Sequence, residues 1–426
     1  MTRTLSGFLA ALLACLAAQS AAGQIVAIKA GRLVDPAAGT VARDQVILVE
    51  NGKIRSAGSA LPIPSGARVV DLSRQVVLPG LFDAHTHLCL DLNTHGGTSL
   101  DMLLRSLLAA TAVETTSYRA IQGVANARDM LLSGFTTVRD VGNAGNYADT
   151  ALRRAVEDGL VPGPTIVNSG RIITPYGGQY HGLTPERPDL PQPEYLYADT
   201  RDEMRKAVRE NVTYGAKVIK IVVDDQPYLY SPEDVRVIVQ ESAAAGLRVA
   251  AHCATDAGSR NAAEGGVASV EHGYRASDAT LELMKRNGVV LVGTDFTEPI
   301  AREMGMAEYH PMLVDRLKRA YRVGVTVAFG TDVISVMPGE TRGTLSISFI
   351  DSFVEAGVPP REILRAMTSN AARLLGVEKE RGAVRAGLAA DLIATADDPL
   401  QRIETLKAVT FVMKDGRIVK PPEPLR

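Results

Sequence analysis

Through most of the chain, apolar residues fall in short runs separated by longer mixed stretches, and the runs read as strands. An opening run starts at Val76, is broken by Pro79-Gly80 and ends at His85 and His87. Further runs follow at 136–139, 165–168, 218–223, 248–252, 269–272, 289–292 and 326–329. Short apolar strands alternating with helical stretches are the pattern of a parallel α/β arrangement. Eight strand-helix units is the count of a (β/α)8 TIM barrel. Helix signals lie between the runs: Ser231-Pro232-Glu233-Asp234 offers an N-cap with proline in the first turn, and Ala243-Ala244-Ala245-Gly246 a close. The longest irregular stretch, 175–198, is rich in Pro, Gly and Tyr and leaves the end of the barrel where chemistry is expected.

Both chain ends have another texture, short and β-rich. Residues 45–50 and 53–56 flank Asn51-Gly52, a strong hairpin signal. Residues 390–394, 408–413 and 418–419 repeat the style, with Lys414-Asp415-Gly416-Arg417 as a turn. The shared texture predicts that 24–75 and 380–426 pair into one small β-domain, a β-sandwich, around a barrel spanning 76–379.

The first 23 residues stand apart. Arg3 gives a positive start, 8–18 is almost wholly apolar and Ser20-Ala21-Ala22-Gly23 offers small residues for cleavage, the anatomy of a secretory signal peptide. The expected location is therefore periplasmic or secreted. Lipid anchoring at Cys15 is a weaker alternative, because the apolar run continues past it. Behind the leader, no stretch is long and apolar enough for a transmembrane segment. Only Cys89 and Cys253 remain there, too few for a disulfide framework, and both read as small buried residues. The formal net charge is -2 and no basic run occurs, so nucleic acid is not an expected partner.

Chemistry enters at the strand ends. In a strand, residues i and i+2 share a face, so His85 and His87 project into one space, either as an ordinary strand-to-loop turn or as the start of a metal site. In a TIM barrel the C-terminal strand ends carry the chemistry. Those ends hold His85, His87, Lys220, His252 and His272, with Asp332 just past the eighth strand; four of the seven histidines fall there. Imidazoles and a carboxylate suit zinc and similar divalent ions. A protonated lysine is no ligand, but burial depresses its pKa, and a neutral amine can take up carbon dioxide as a carbamate whose two oxygens can bridge two ions. Taken singly, His272 could be a core histidine, Lys220 a solvated strand-end lysine and Asp332 a helix cap. Their shared order and placement favour the site.

This ligand set, the opening Val77-Leu78-Pro79-Gly80-Leu81-Phe82-Asp83-Ala84-His85-Thr86-His87, and the tail segments 366–376 and 382–392 resemble the imidazolonepropionase-like branch of the binuclear amidohydrolase superfamily. That branch includes exported Xaa-Pro dipeptidases and related metallocarboxypeptidases. The resemblance implies two divalent metal ions, zinc being the expected one, with a carbamate on Lys220 and a hydroxide bridging them. His85, His87 and Asp332 would serve one ion, and His252 and His272 the other. Asp332 would also be the proton carrier. Where relatives carry a Gly-Gly-His-Gly-type segment, this chain reads Gly177-Gly178-Gln179-Tyr180-His181-Gly182, so Gln179 replaces the first histidine and His181 keeps the second. His181 becomes the candidate for substrate contact, against a structural role in the loop. Tyr228 and Tyr230 are candidates for an oxyanion hydroxyl, against ring packing. His95 and His310 read as surface residues.

The expected activity is an exported metal-dependent hydrolase cleaving the amide bond of dipeptides or N-acyl amino acids, ochratoxin-like aromatic amides included. Its partners would be a small-molecule or dipeptide substrate and, as an open possibility, further copies of itself in a homo-oligomer. Two alternatives stand beside it. One is cyclic amide hydrolysis, against which Lys220 argues because such enzymes commonly lack the bridging lysine. The other is a non-catalytic barrel binding module, which typically loses ligands.

Overall fold

The computed structural model describes residues 25–92, 100–180, 183–225 and 228–422. Four strands open the described chain: β1 (Val26–Asp35), β2 (Thr40–Glu50), β3 (Lys53–Ser59) and β4 (Arg68–Pro79). The middle contributes β5 (Leu81–Thr86), β6 (Phe135–Asp140), β7 (Thr165–Asn168), β8 (Ile172–Thr174), β9 (Tyr195–Tyr197), β10 (Ile219–Val222), β11 (Val249–Cys253), β12 (Ser269–His272) and β13 (Val290–Val292). Then come β14 (Leu392–Thr395), β15 (Phe411–Lys414) and β16 (Arg417–Lys420).

The chain ends do pair. One seven-stranded mixed sheet runs in the order β16-β15-β14-β4-β1-β2-β3. Its join is β4, parallel to β1 and antiparallel to β14 with Val76 opposite Thr395. The β2–β3 and β15–β16 hairpins turn on paired left-handed residues, Asn51 (φ 51) with Gly52 (φ 77) and Asp415 (φ 46) with Gly416 (φ 74), the two-residue geometry that matches strand twist. The seven strands form one ladder and not two separate sheets, and it curls so that its β3 edge reaches the chain just before β14: Lys53 bridges Ala389, and the Ile54 N–H donates to Leu388 O at 2.8 Å. The curl encloses a separate core that includes Ile28, Ile47, Leu72, Leu392 and Phe411.

The middle strands form two parallel sheets, β5-β6-β7 and β13-β12-β11-β10-β8-β9. Parallel strands are covered on both faces and so read as continuous apolar runs; Ile219, Ile221, Ala250 and Ala251 are all fully buried. At one seam between the sheets, Lys217 and Val218 N–H groups donate to Asn168 O at 2.7 and 3.2 Å. At the other lies 326–329, expected as the eighth strand. It makes only a single bridge, Val327 to Leu291, yet is tied to both neighbours, with Leu291 N–H donating to Thr326 O and Ala84 N–H to Phe329 O at 2.9 and 2.8 Å. Its ladder stops at Gly330, where a Cβ would fall on Val292 Cγ1 and within 2.9 Å of His85 Cβ. The short strands β8 and β9, not expected from the sequence, widen the second sheet.

Helices cover the sheets. Helix Pro232–Ala244 begins with a capping box between Ser231 and Asp234, and Gly246 beyond its end is left-handed (φ 73). The long stretch after β8 is anchored from below. Glu194 is buried against Arg119, accepts from Gly145 N–H at 3.0 Å and from Thr111 Oγ1 at 3.1 Å, and Arg119 also donates to Cys89 O at 2.9 Å.

Candidate metal centre

The strand ends bring the six candidates into one space. His85 lies in β5 with His87 one residue beyond it, Lys220 is in β10, His252 in β11 and His272 at the end of β12. Asp332 follows Gly330 by two residues. His85 Nε2 and His87 Nε2 lie 3.6 and 3.0 Å from Asp332 Oδ1, and His272 Nδ1 lies 3.8 Å from Oδ2. The His272 ring centroid is 5.0 Å from that of His85 and 4.5 Å from that of His252. Two of these residues hold left-handed backbone, His272 (φ 62) and Asp332 (φ 57). That conformation costs non-glycine residues on the order of 1–2 kcal/mol, and such strain gathers at functional sites. The bends turn both side chains off their strand axes into the common space.

Partners behind the rings decide which nitrogens are available. His85 Nδ1 lies 2.8 Å from Glu271 Oε2. Burial opposes ionisation of Glu271, but Arg139 beside it and the His85 hydrogen bond outweigh that and hold the carboxyl well below its ordinary range. A carboxylate can only accept, so Nδ1 carries the proton and Nε2 is bare. The same logic applies to His87, whose Nδ1 donates to Gly142 O at 2.7 Å. Glu271 is fixed in turn by Arg139 Nη2 at 2.7 Å and Ser269 Oγ at 2.5 Å. His272 Nδ1 contacts Thr294 Oγ1 at 2.8 Å and the Tyr274 hydroxyl at 3.2 Å. Burial, then nearby Lys220, pushes the His85 pKa down to about 4, so its ring is neutral at neutral pH, the form that binds metal.

Lys220 is buried, and among the described residues no hydrogen bond or ion pair engages its ammonium group. Burial outweighs the pull of Glu271 and Asp332 and brings its pKa down to about 8, so a fraction of the neutral amine is present at neutral pH. His252 Nε2 is buried without an aligned hydrogen-bond partner, although Asp225 Oδ2 lies 2.9 Å away. The bare Nε2 atoms of His85 and His87, the Asp332 carboxylate and the buried lysine are a donor set that fits divalent cations.

A cavity of about 410 Å³ opens over these groups. One wall carries Leu90, Leu92, Leu107 and Ile172, and the other Phe296, Ile300, Met304, Met306 and Met337. A larger and more open cleft of about 1210 Å³, between the terminal sheet and the 157–163 turn, contains no histidine.

Several sequence candidates lie elsewhere. Tyr230 is fully buried and donates its hydroxyl to Ala198 O at 2.7 Å, so it is a core residue and not an oxyanion donor. Tyr228 is exposed and does not line the cavity. His181 and His95 lie outside the described residues, as does the leader expected at 1–23. His310, expected on the surface, is buried, with Nδ1 3.0 Å from Phe296 O and Nε2 2.8 Å from Glu355. Cys89 and Cys253 are buried, as small core residues would be. The sequence reading missed Tyr274, which lines the cavity, and Glu271, whose charge in a strand beside His272 was the available signal.

The family model described as "Amidohydrolase family" matches residues 76–419. An ochratoxinase from Aspergillus niger is 30% identical over 445 aligned residues, covering 94% of this chain and 87% of that protein. An imidazolonepropionase from Brevibacillus brevis is 27% identical, covering 89% and 91% of the two chains. The crystal structure of a Xaa-Pro dipeptidase with bound methionine in the active site superposes with a TM-score of 0.82 at 28% identity, covering 93% of this chain and 100% of the other.

Proposed function

Because the chain belongs to the amidohydrolase family and is thus a metal-dependent hydrolase acting on carbon–nitrogen bonds, we propose that it cleaves the amide bond of dipeptides or N-acyl amino acids in an exported location. The observation that carries this reading is the convergence of His85, His87, Lys220, His252, His272 and Asp332 at adjacent strand ends under a largely apolar cavity. In this reading β5, β6, β7, β10, β11, β12, β13 and 326–329 act as one eight-membered barrel. His85, His87 and Asp332 would hold one divalent ion, His252 and His272 the second, and Lys220 as a carbamate would join them; zinc is the proposed ion.

Bound divalent ions supply a lowered pKa for water and polarisation of the scissile carbonyl. The chain's own residues do the rest. Asp332 lies 3.0 Å from His87 Nε2, and although burial opposes it, His85 and His87 keep its carboxyl far below the ordinary range. It is therefore an ionised acceptor at working pH, placed to take the proton of the attacking water and return it to the leaving amine. The leucine and isoleucine wall and the phenylalanine and methionine wall suit large apolar groups on the substrate, aromatic acyl groups among them. The ochratoxinase likeness supports that choice, and the leader at 1–23 supports export.

The test is a panel of dipeptides, N-acyl amino acids and imidazolone propionate, run with and without added zinc beside an Asp332→Asn variant. Amide turnover that zinc removal and the variant both abolish is expected. Unchanged turnover in the variant refutes the mechanism. Turnover of the imidazolone alone transfers the chain to the cyclic-amide reading that its imidazolonepropionase relatives favour.

A further inference from the structure

Gln179, in the segment where the family resemblance implies a histidine, is bonded on both sides. Its Nε2 donates to Asp225 Oδ2 at 2.5 Å, and its Oε1 accepts from the Tyr195 hydroxyl at 3.0 Å. Tyr195 is itself fixed: it is buried, its hydroxyl accepts from Asn143 Nδ2 at 3.2 Å, and its ring meets Tyr180 edge-on at 5.4 Å. Asp225 Oδ2 lies 2.9 Å from His252 Nε2. A continuous chain of polar contacts thus runs from the buried wall, through the stretch that follows β8, to the imidazole of His252.

That imidazole differs from the other three. His85 and His87 are held by hydrogen bonds to Glu271 and Gly142, and His272 by Thr294 and Tyr274. For His252 the group facing Nε2 is the Asp225 carboxylate at 2.9 Å, which lies off the hydrogen-bonding axis. Attraction between a carboxylate and an imidazole N–H depends less on angle than a hydrogen bond does, so a carboxylate kept at this spot still orients the ring. Asp225 sits on the loop past β10 with its side chain partly exposed, and the Gln179 amide holds one of its carboxylate oxygens.

The geometry points to Asp225 and Gln179 as positioning residues for the metal ion that His252 would serve: Asp225 orients the ring and Gln179 holds Asp225, so that this ion's retention depends on the stretch bordering the cavity. The assignment rests on the binuclear reading above. Outer partners of metal-binding imidazoles typically change metal affinity about 10–100-fold when removed.

The test counts metal and does not use turnover. Full-length wild type, Asp225→Asn and Gln179→Ala proteins are saturated with zinc and titrated with a chelator while bound zinc per chain is measured. Wild type is expected to hold two ions. Asp225→Asn should release one of them about 10–100-fold more readily and keep the other as wild type does. Gln179→Ala should loosen the same ion by a smaller factor, because Asp225 is still present; this variant also keeps the test open if Asp225→Asn does not fold. Two wild-type ions with unchanged release in the variants overturn this assignment alone, as does equal loosening of both ions. A wild type that holds only one ion overturns the binuclear reading, and the assignment with it.

Discussion

Replacing Glu271 by glutamine removes one charge and almost no volume, and the surroundings leave the new amide no satisfactory orientation. Glu271 is fully buried; Oε1 accepts from Arg139 Nη2 at 2.7 Å and Ser269 Oγ at 2.5 Å, and Oε2 accepts from His85 Nδ1 at 2.8 Å. If the amide oxygen stays with Arg139, the NH2 group faces His85 Nδ1. The ring must then shift its proton to Nε2, the nitrogen aimed at Asp332. If the oxygen stays with His85, two donors oppose each other at Arg139, a guanidinium with 2% of its side chain exposed. Breaking one side of a buried ion pair costs about 3–5 kcal/mol, and disturbing the partner of a ligating histidine costs about 10–100-fold in metal affinity. Denaturant unfolding of metal-free protein reads the first and chelator titration the second. Glu271→Gln should lose by both measures. An Arg139→Met, Glu271→Gln double variant should recover part of the stability, because no unpaired cation remains, but not the metal affinity. A single variant that unfolds like wild type and keeps its metal refutes the argument that Glu271 sets the His85 tautomer.

Three further outcomes follow from packing. Gly330→Ala places a methyl group on Val292 and His85; overpacking of about 1–3 kcal/mol should appear in unfolding, together with a loss of kcat, since His85 must move. Tyr230→Phe removes only the bond to Ala198 O and should cost about 1 kcal/mol while leaving kcat/KM within about twofold; a collapse of kcat would return Tyr230 to the active site. Arg119→Met strands Glu194, the buried residue that closes the stretch following β8. A loss of about 3–5 kcal/mol is expected, and limited proteolysis should detect cleavage within 175–195 before any other site.

The six strand-end residues were legible because a parallel barrel converts sequence position into spatial position: a residue at the C-terminal end of any strand faces the same mouth. No similar rule governs residues many positions past a strand end. Tyr230 follows β10 by eight residues, yet the backbone returns, with Tyr230 N–H donating to Val223 O at 3.1 Å, and the ring drops into the core. A run of residues does not record such an excursion. His310 is a different case, since its spacing to Leu313, Val314, Leu317 and Ala320 matches the buried stripe of helix Tyr309–Val323, and the signal was there to be read. The curled terminal sheet was half legible. Hairpin turns gave the neighbours, but the parallel pairing of β1 with β4 depends on register between distant segments, and local pattern carries no information about that.

The strained candidate ligands have clamps of their own, and this explains a group of buried charges that otherwise looks wasteful. His272 and Thr294 are both left-handed, and one fully buried guanidinium, Arg316, donates to the carbonyls of His272 and Gly293 while pairing with Asp295 at 2.5 Å. Asp332 has an equivalent arrangement. Its N–H donates to His85 O at 2.8 Å, and its neighbour Thr331 is bound through N–H and hydroxyl to the buried carboxylate of Asp83 at 3.1 and 2.7 Å. Backbone strain of on the order of 1–2 kcal/mol per residue relaxes unless surrounding contacts over-determine it. A hydrophobic core supplies cohesion without direction and cannot hold a carbonyl to one angle, whereas a buried Arg–Asp pair or a doubly bonded Asp–Thr contact can. On this account Arg316, Asp295 and Asp83 hold the backbone at the two positions where the strand ends must bend for His272 and Asp332 to face a common centre.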